Sequence, residues 1–173
     1  MTGMSAYRIC FVCTGNICRS PSAEIILRAR AEDAGLDVVV DSAGTDSYHV
    51  GDPADERAVR AMKNAGYDGT THVARQFDEE WFAERDLIVA LDRGHARQLA
   101  TLAPDAESAA KIRLMRSFDP EVEDEGIDED DPRIDVADPY YGDQAGFTEM
   151  IEQLEAAADG IVGYLQERTE HPA

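Results

Sequence analysis

Cysteine is scarce in this 173-residue chain: Cys10, Cys13 and Cys18 are its three cysteines, all within nine positions. Such a cluster cannot staple a secreted fold together, so the disulfide-framework class is excluded. Lysine is scarcer, two residues against fourteen arginines, and 36 acidic side chains outweigh 16 basic ones to give a net charge of −20. That charge excludes nucleic acid, itself a polyanion, as a partner. No run of about eighteen apolar residues is present to cross a membrane, and the first residues lack the apolar core of a secretion signal, so a cytoplasmic protein with no membrane partner is expected. The acids are spread along the chain as well as clustered, which reads as a halophilic surface. At ~1 M salt the screening length falls to ~3 Å and most self-repulsion disappears. An acidic protein of ordinary cytoplasm is the alternative. With 43% apolar residues the chain can bury one core, and a single domain over 1–173 is expected. There is no internal repeat, and no pattern specifies an oligomeric state.

The chemistry concentrates in Cys13-Thr14-Gly15-Asn16-Ile17-Cys18-Arg19-Ser20, which sets a thiol and a guanidinium six positions apart around a glycine. Residues 7–12 upstream are β-branched and aromatic without a breaker, and read as a buried strand of a parallel sheet. Downstream, Ser20-Pro21-Ser22-Ala23-Glu24 carries a hydroxyl cap and a first-turn proline, the marks of a helix start. Strand, loop and helix then aim the loop's N–H groups and the first free N–H groups of the helix at one spot, a cradle for an anion. The same field favours a thiolate at Cys13, and Arg19 adds a two-pronged donor that matches phosphate oxygens. This suits phosphoryl transfer to sulfur. The alternative is a structural cysteine on a tight turn.

The string from Val12 to Glu24 resembles the phosphate-binding loop of the low-molecular-weight protein tyrosine phosphatase family. The resemblance implies a three-layer α/β/α fold with a four-stranded parallel sheet and the phosphate loop (Thr14, Gly15, Asn16, Ile17, Cys18, Arg19, Ser20) after the first strand. Other segments resemble the family in the expected order. Asp41-Ser42-Ala43-Gly44 implies that Ser42 supports the loop, a turn serine being the alternative. Tyr48 matches an aromatic pocket wall, or packs over its own loop. Thr71 to Phe77 resembles a segment whose histidine, here His72, bonds into the scaffold behind the loop, and no metal-ligand pattern surrounds it. Asp138-Pro139-Tyr140-Tyr141-Gly142 matches the general-acid loop, with Tyr140 and Tyr141 as the opposite wall.

Between these motifs, helices are expected from residue 23 to Gly35 with Ala23, Ile26, Leu27, Ala31 and Ala34 on one face, over 55–64 with Ala58, Val59 and Met62 inward, and over 96–102. Further buried strands are read at 36–40, 87–91 and 111–115. Residues 119–137 are so acidic, with only Arg133 opposed, that a solvated mobile loop is expected. The spacing of an EF-hand is absent from it. Phe147, Met150, Ile151, Leu154, Ala158, Ile161 and Leu165 predict a long helix covering the sheet.

The resemblance implies a two-step hydrolase of phosphotyrosine proteins or small aryl phosphates, with Cys13 as nucleophile, Arg19 as clamp and Asp138 as general acid and base, and with no cofactor and no metal. Ser20 would hydrogen-bond the sulfur, Asn16 would hold the loop's shape, and Cys18 is a candidate for a reversible disulfide with Cys13 or for loop packing. Three alternatives stand beside this. A phosphoarginine phosphatase branch has threonine where this chain has Ile17. An arsenate reductase would need cysteines downstream of Cys18. A non-catalytic phosphate or phosphotyrosine binder would need neither Cys13 nor Asp138.

Overall fold

The computed structural model describes residues 6–170. Its strands are β1 (Tyr7–Cys13), β2 (Val38–Gly44), β3 (Leu87–Ala90) and β4 (Ile112–Leu114), in one parallel sheet of order β2-β1-β3-β4. The four-stranded parallel α/β arrangement is the one expected. β1 is central, and Ile9, Cys10, Phe11 and Val12 are wholly buried. Because successive side chains point to opposite faces, β1 feeds two cores. Ile9, Phe11 and Cys13 pack with Leu87 and Val89 on one face, while Cys10 and Val12 pack with Ile88 and Ala90 on the other.

Helices cover both faces. Helices α1 (Arg19–Asp33) and α2 (Glu56–Asn64) contribute Ala23, Ile26, Leu27, Ala58, Ala61 and Met62 to the first core. The second core receives Phe82 from α3 (Trp81–Glu84) and Leu99 from α4 (Arg93–Leu102). α5 (Ala106–Ala109) and α6 (Pro120–Asp124) are short, and α7 (Gln144–Glu170) lays Phe147, Met150, Ile151, Leu154, Ala158, Ile161 and Leu165 onto the first core, the seven positions its periodicity predicts.

Several expectations are corrected. β2 begins at Val38, two residues later than the expected strand over 36–40, and runs past Val40 through Asp41-Ser42-Ala43-Gly44. It is an edge strand, so Val39 is 52% exposed despite the apolar run. On α1 and α2, Ala34 and Val59 are not buried, because Ala34 lies past the last turn and Ala61 takes the inward place. The acidic stretch is structured. Asp119 caps α6 by accepting from Glu121 N–H at 2.9 Å, and Val122, Ile127, Ile134 and Val136 are buried. Its charges meet arginines from elsewhere: Arg93 binds Asp135 at 3.1 Å and Arg116 lies 3.7 Å from Asp119.

One glycine sets the distance between layers. A Cβ built on Gly160 of α7 would lie 1.7 Å from the Phe118 carbonyl oxygen, so the helix and that backbone touch only because no side chain intervenes. Gly160→Ala gains ~1 kcal/mol of helix propensity, but overpacking costs ~1–3 kcal/mol or more and the clash is with backbone that cannot rotate away. We expect a net loss of about 2 kcal/mol, seen as a lower midpoint in urea unfolding. An unchanged midpoint would mean that α7 is free to shift outward.

Candidate active site

The strand order changes direction between β1 and β3, so the loops leaving their carboxyl ends diverge and open a crevice, the place where open α/β sheets bind ligands. The β1 loop, residues 14–18, enters α1 there. Cys13 ends β1 with 4% exposure, and its Sγ lies 2.9 Å from Ser20 Oγ. Ser20 sits inside α1, where Cys18 is the cap residue and no side chain caps the helix. The hydroxyl does not cap the helix as its local sequence suggests; it faces the sulfur, as the resemblance implies.

Asn16 is the one described non-glycine residue with positive φ, 58°, a conformation that costs free energy unless its surroundings impose it. They do. Asn16 Nδ2 donates to Ser20 Oγ at 2.8 Å and to Ser42 Oγ at 2.9 Å, its Oδ1 accepts from Arg75 N–H at 2.9 Å, and its carbonyl meets His72 Nε2 at 2.6 Å. Ser42 in turn donates to Glu24 at 2.6 Å. A continuous chain of hydrogen bonds thus runs from Glu24 through Ser42, Asn16 and Ser20 to Cys13 Sγ. Because Ser20 Oγ accepts from Asn16, its own proton is left to point at the sulfur or, at 3.4 Å, at the Ala43 carbonyl. Burial lowers the His72 imidazole below its ordinary value, against the pull of the Asn16 carbonyl. Gly44 closes the back of the loop: a Cβ there would stand 2.6 Å from the Thr14 carbonyl oxygen.

Arg19 is buried, with its side chain 5% exposed. Its Nη1 donates to Asp92 Oδ2 at 2.9 Å and to the Val136 carbonyl at 3.1 Å, and its Nη2 reaches Asp138 Oδ2 at 3.4 Å. Asp138 is held in turn by the Tyr140 N–H at 3.2 Å and remains half exposed at the mouth. The end of the acidic stretch is pinned where it approaches the pocket. Val136 N–H donates to the Leu91 carbonyl at 2.9 Å and Ala137 N–H to Gln153 at 2.8 Å.

A cavity of about 240 Å³ is lined by Cys13, Thr14, Gly15, Ile17, Cys18, Arg19, Tyr48, Asp138, Tyr140 and Tyr141, joined by Asp46 and His49. Asn16, Ser20, Ser42 and His72 stand behind it. Tyr48 and Tyr141 are 88% and 95% exposed, so they form an outer rim. Cys18 is buried and its thiol is pushed up, by burial first and then by the charge of Asp55.

Three participants were not singled out in the sequence. Asp92 caps α4, accepting from His95 N–H at 2.9 Å, and with its other oxygen orients Arg19. Burial works to raise this carboxyl, but the His95 N–H and the Arg19 guanidinium prevail and hold it below its ordinary value. His95 is pushed down to about 4, by burial first and by Arg19 in addition, against Asp92. Its ring is therefore neutral at neutral pH. Nδ1 lies 3.3 Å from Asp92 without hydrogen-bond alignment, and Nε2 pairs with Thr14 Oγ1 at 2.8 Å. Arg57 is gripped by Asp55 and donates to the Tyr140 carbonyl at 2.9 Å, fixing the second wall. The signal for Asp92 was present: an aspartate directly after a buried strand and before a helix, at the ligand edge of the sheet. Arg57 carries no such local mark. Among the described residues no group of three His, Cys, Asp or Glu side chains is placed to hold a metal ion.

Comparison with known proteins points to one family. The family model described as low molecular weight phosphotyrosine protein phosphatase matches residues 8–171. A low molecular weight protein-tyrosine-phosphatase of Streptomyces coelicolor is 52% identical over 166 residues, covering 95% of this chain and 96% of that one. Low molecular weight protein-tyrosine phosphatase A of Mycobacterium tuberculosis is 44% identical, with 92% of each chain covered. The crystal structure of a protein tyrosine phosphatase from Entamoeba histolytica, with Hepes in the active site, superposes with a TM-score of 0.84 at 33% identity, over 95% of this chain and 99% of that one.

Proposed function

The chain belongs to the low molecular weight phosphotyrosine protein phosphatase family, and on that premise we propose that it hydrolyses phosphotyrosine through a phosphocysteine formed on Cys13, with Asp138 as the proton carrier. The observation that carries this reading is the meeting of Cys13, Arg19 and Asp138 on one cavity, although 119 residues separate Arg19 from Asp138.

In the first step the Cys13 thiolate attacks phosphorus as the P–O bond to the phenol breaks. Arg19 and the N–H groups of residues 14–19 hold the equatorial oxygens, and Asp138 gives its proton to the departing oxygen. In the second step water attacks phosphorus, its proton goes to Asp138, and the electron pair of the S–P bond returns to sulfur. Ser20, 2.9 Å away, donates to the thiolate as it leaves. Asn16, Ser42 and His72 keep the loop in shape, Asp92 orients Arg19, and Tyr48, Tyr140 and Tyr141 stack on the substrate's ring. Guanidinium and amides supply the positive charge. Cys18 is a candidate partner for a reversible disulfide with Cys13.

A non-catalytic binder is disfavoured because neither a sulfur beneath the cradle nor a carboxyl at its mouth would serve it. A cytoplasmic setting fits three free thiols, and no described helix is long and apolar enough to cross a membrane.

The direct check is hydrolysis of p-nitrophenyl phosphate with EDTA present. Turnover is expected, and its dependence on a divalent cation would contradict the scheme. Salt gives a second readout. A chain of −20 repels a dianionic ester, and screening relieves this, so kcat/KM for this small substrate should rise as NaCl is raised toward ~1 M. Highest efficiency in dilute buffer, with the fold intact, would refute the electrostatic part of the account.

A further inference from the structure

Among the described residues, every acidic or basic side chain that lines the cavity has a partner except one. Arg19 is taken by Asp92 and Asp138, and Asp138 by Arg19 and the Tyr140 N–H. His49 Nδ1 stands 3.1 Å from Asp52. Asp46 is different: its N–H donates to the Thr14 carbonyl at 3.0 Å, which ties its backbone to the phosphate loop, but its carboxylate meets no cation or donor among the described residues. An unpaired carboxylate in the wall of a phosphate pocket works against a bare phosphate dianion. It works for a substrate that brings a positive charge of its own. The rim leaves this charge to Asp46: Tyr48 and Tyr141 are exposed and serve the substrate's ring, with Tyr141 packed edge to face on Tyr140 at 4.9 Å, while Tyr140 already has Arg57 5.4 Å over its ring. An unpaired carboxylate in the wall of the pocket is a seat for lysine or arginine.

Resting on the phosphatase reading above, we propose that the preferred substrates are phosphotyrosine segments with lysine or arginine next to the phosphotyrosine, and that Asp46 is the specificity-determining residue that receives that charge. The phosphate goes to the cradle at Cys13 and Arg19, and the neighbouring cation goes to Asp46 in the wall of the same cavity. The chain's net charge steers any cationic peptide toward the molecule. Asp46 makes the preference local.

The test compares two phosphotyrosine peptides that differ only in carrying lysine or glutamate on both sides of the phosphotyrosine, using the full chain and p-nitrophenyl phosphate as a control. The lysine peptide should have about tenfold higher kcat/KM in dilute buffer, and the advantage should fade near ~1 M NaCl. Asp46→Asn should shrink the ratio about fivefold, mainly through KM, by slowing the lysine peptide and speeding the glutamate peptide together. Asp37→Asn, an exposed position before β2 at the opposite end of the sheet, changes the net charge equally and should leave the ratio as it is. Equal turnover of both peptides, or equal effects of the two substitutions, would overturn the inference while p-nitrophenyl phosphate hydrolysis still upheld the phosphatase reading. Loss of hydrolysis of all three substrates by the wild type would overturn both.

Discussion

Cys13→Ser is expected to lower kcat for aryl phosphates by at least ~10⁴-fold, because a serine hydroxyl lacks both the thiolate's nucleophilicity and its ease of departure from phosphorus. The fold should survive. Oxygen is smaller than sulfur, Cys13 is buried at the end of the central strand, and the Ser20 hydroxyl can pair with the new one as it pairs with Sγ at 2.9 Å. The cradle should survive too, since Arg19 and the loop N–H groups are untouched, so inorganic phosphate should still bind the variant. Dead chemistry with intact binding separates a nucleophile from a packing cysteine. Retained turnover in the serine variant would show that water attacks phosphorus directly.

The second large effect is graded rather than absolute. Asp138→Asn removes the proton that the leaving oxygen needs, and general acid catalysis is worth ~10²–10⁴-fold. The need depends on the ester. p-Nitrophenolate departs readily without help, whereas the phenolate of phosphotyrosine does not. The variant should therefore lose ~10³-fold on phosphotyrosine and only about tenfold on p-nitrophenyl phosphate in the step that expels the phenol. The Tyr140 N–H that now holds Asp138 at 3.2 Å can hold the asparagine oxygen in the same way, so the loop should keep its place. Equal losses on both esters would mean that Asp138 serves only to position Arg19, which it meets at 3.4 Å.

The elements that could be read from the sequence are those whose cause is local. The four strands announce themselves as short apolar runs, and α7 through seven buried positions at helical spacing. The loop at Cys13 could be read because strand, glycine turn and helix follow one another without interruption. Features that depend on distant partners could not be read this way. Asp92 meets Arg19 across 73 residues, and Arg57 meets the Tyr140 carbonyl across 83. The acidic stretch reads as too charged to fold because its local sequence offers only Arg133, yet Arg93 and Arg116 come to it from outside and four of its aliphatic side chains are buried. The cap reading of Ser20 fails for a related reason, while the bond to the sulfur that the resemblance implies is present. A hydroxyl just before a helix suggests a cap, and only the curvature of the loop turns it toward the sulfur. The edge position of β2, which leaves Val39 in water, follows from the strand order and from nothing within the strand.

The central claim is that phosphorus becomes bonded to sulfur in the course of hydrolysis. Rapid acid quench of the wild type during turnover of an aryl phosphate, followed by peptide mass analysis, measures this directly. The account predicts a phosphoryl group on the peptide containing Cys13, absent from Cys13→Ser, and accumulating further in Asp138→Asn when a good leaving group outruns the hydrolysis step. Steady turnover with no phosphoryl group on Cys13, or with one on any other residue, would contradict it.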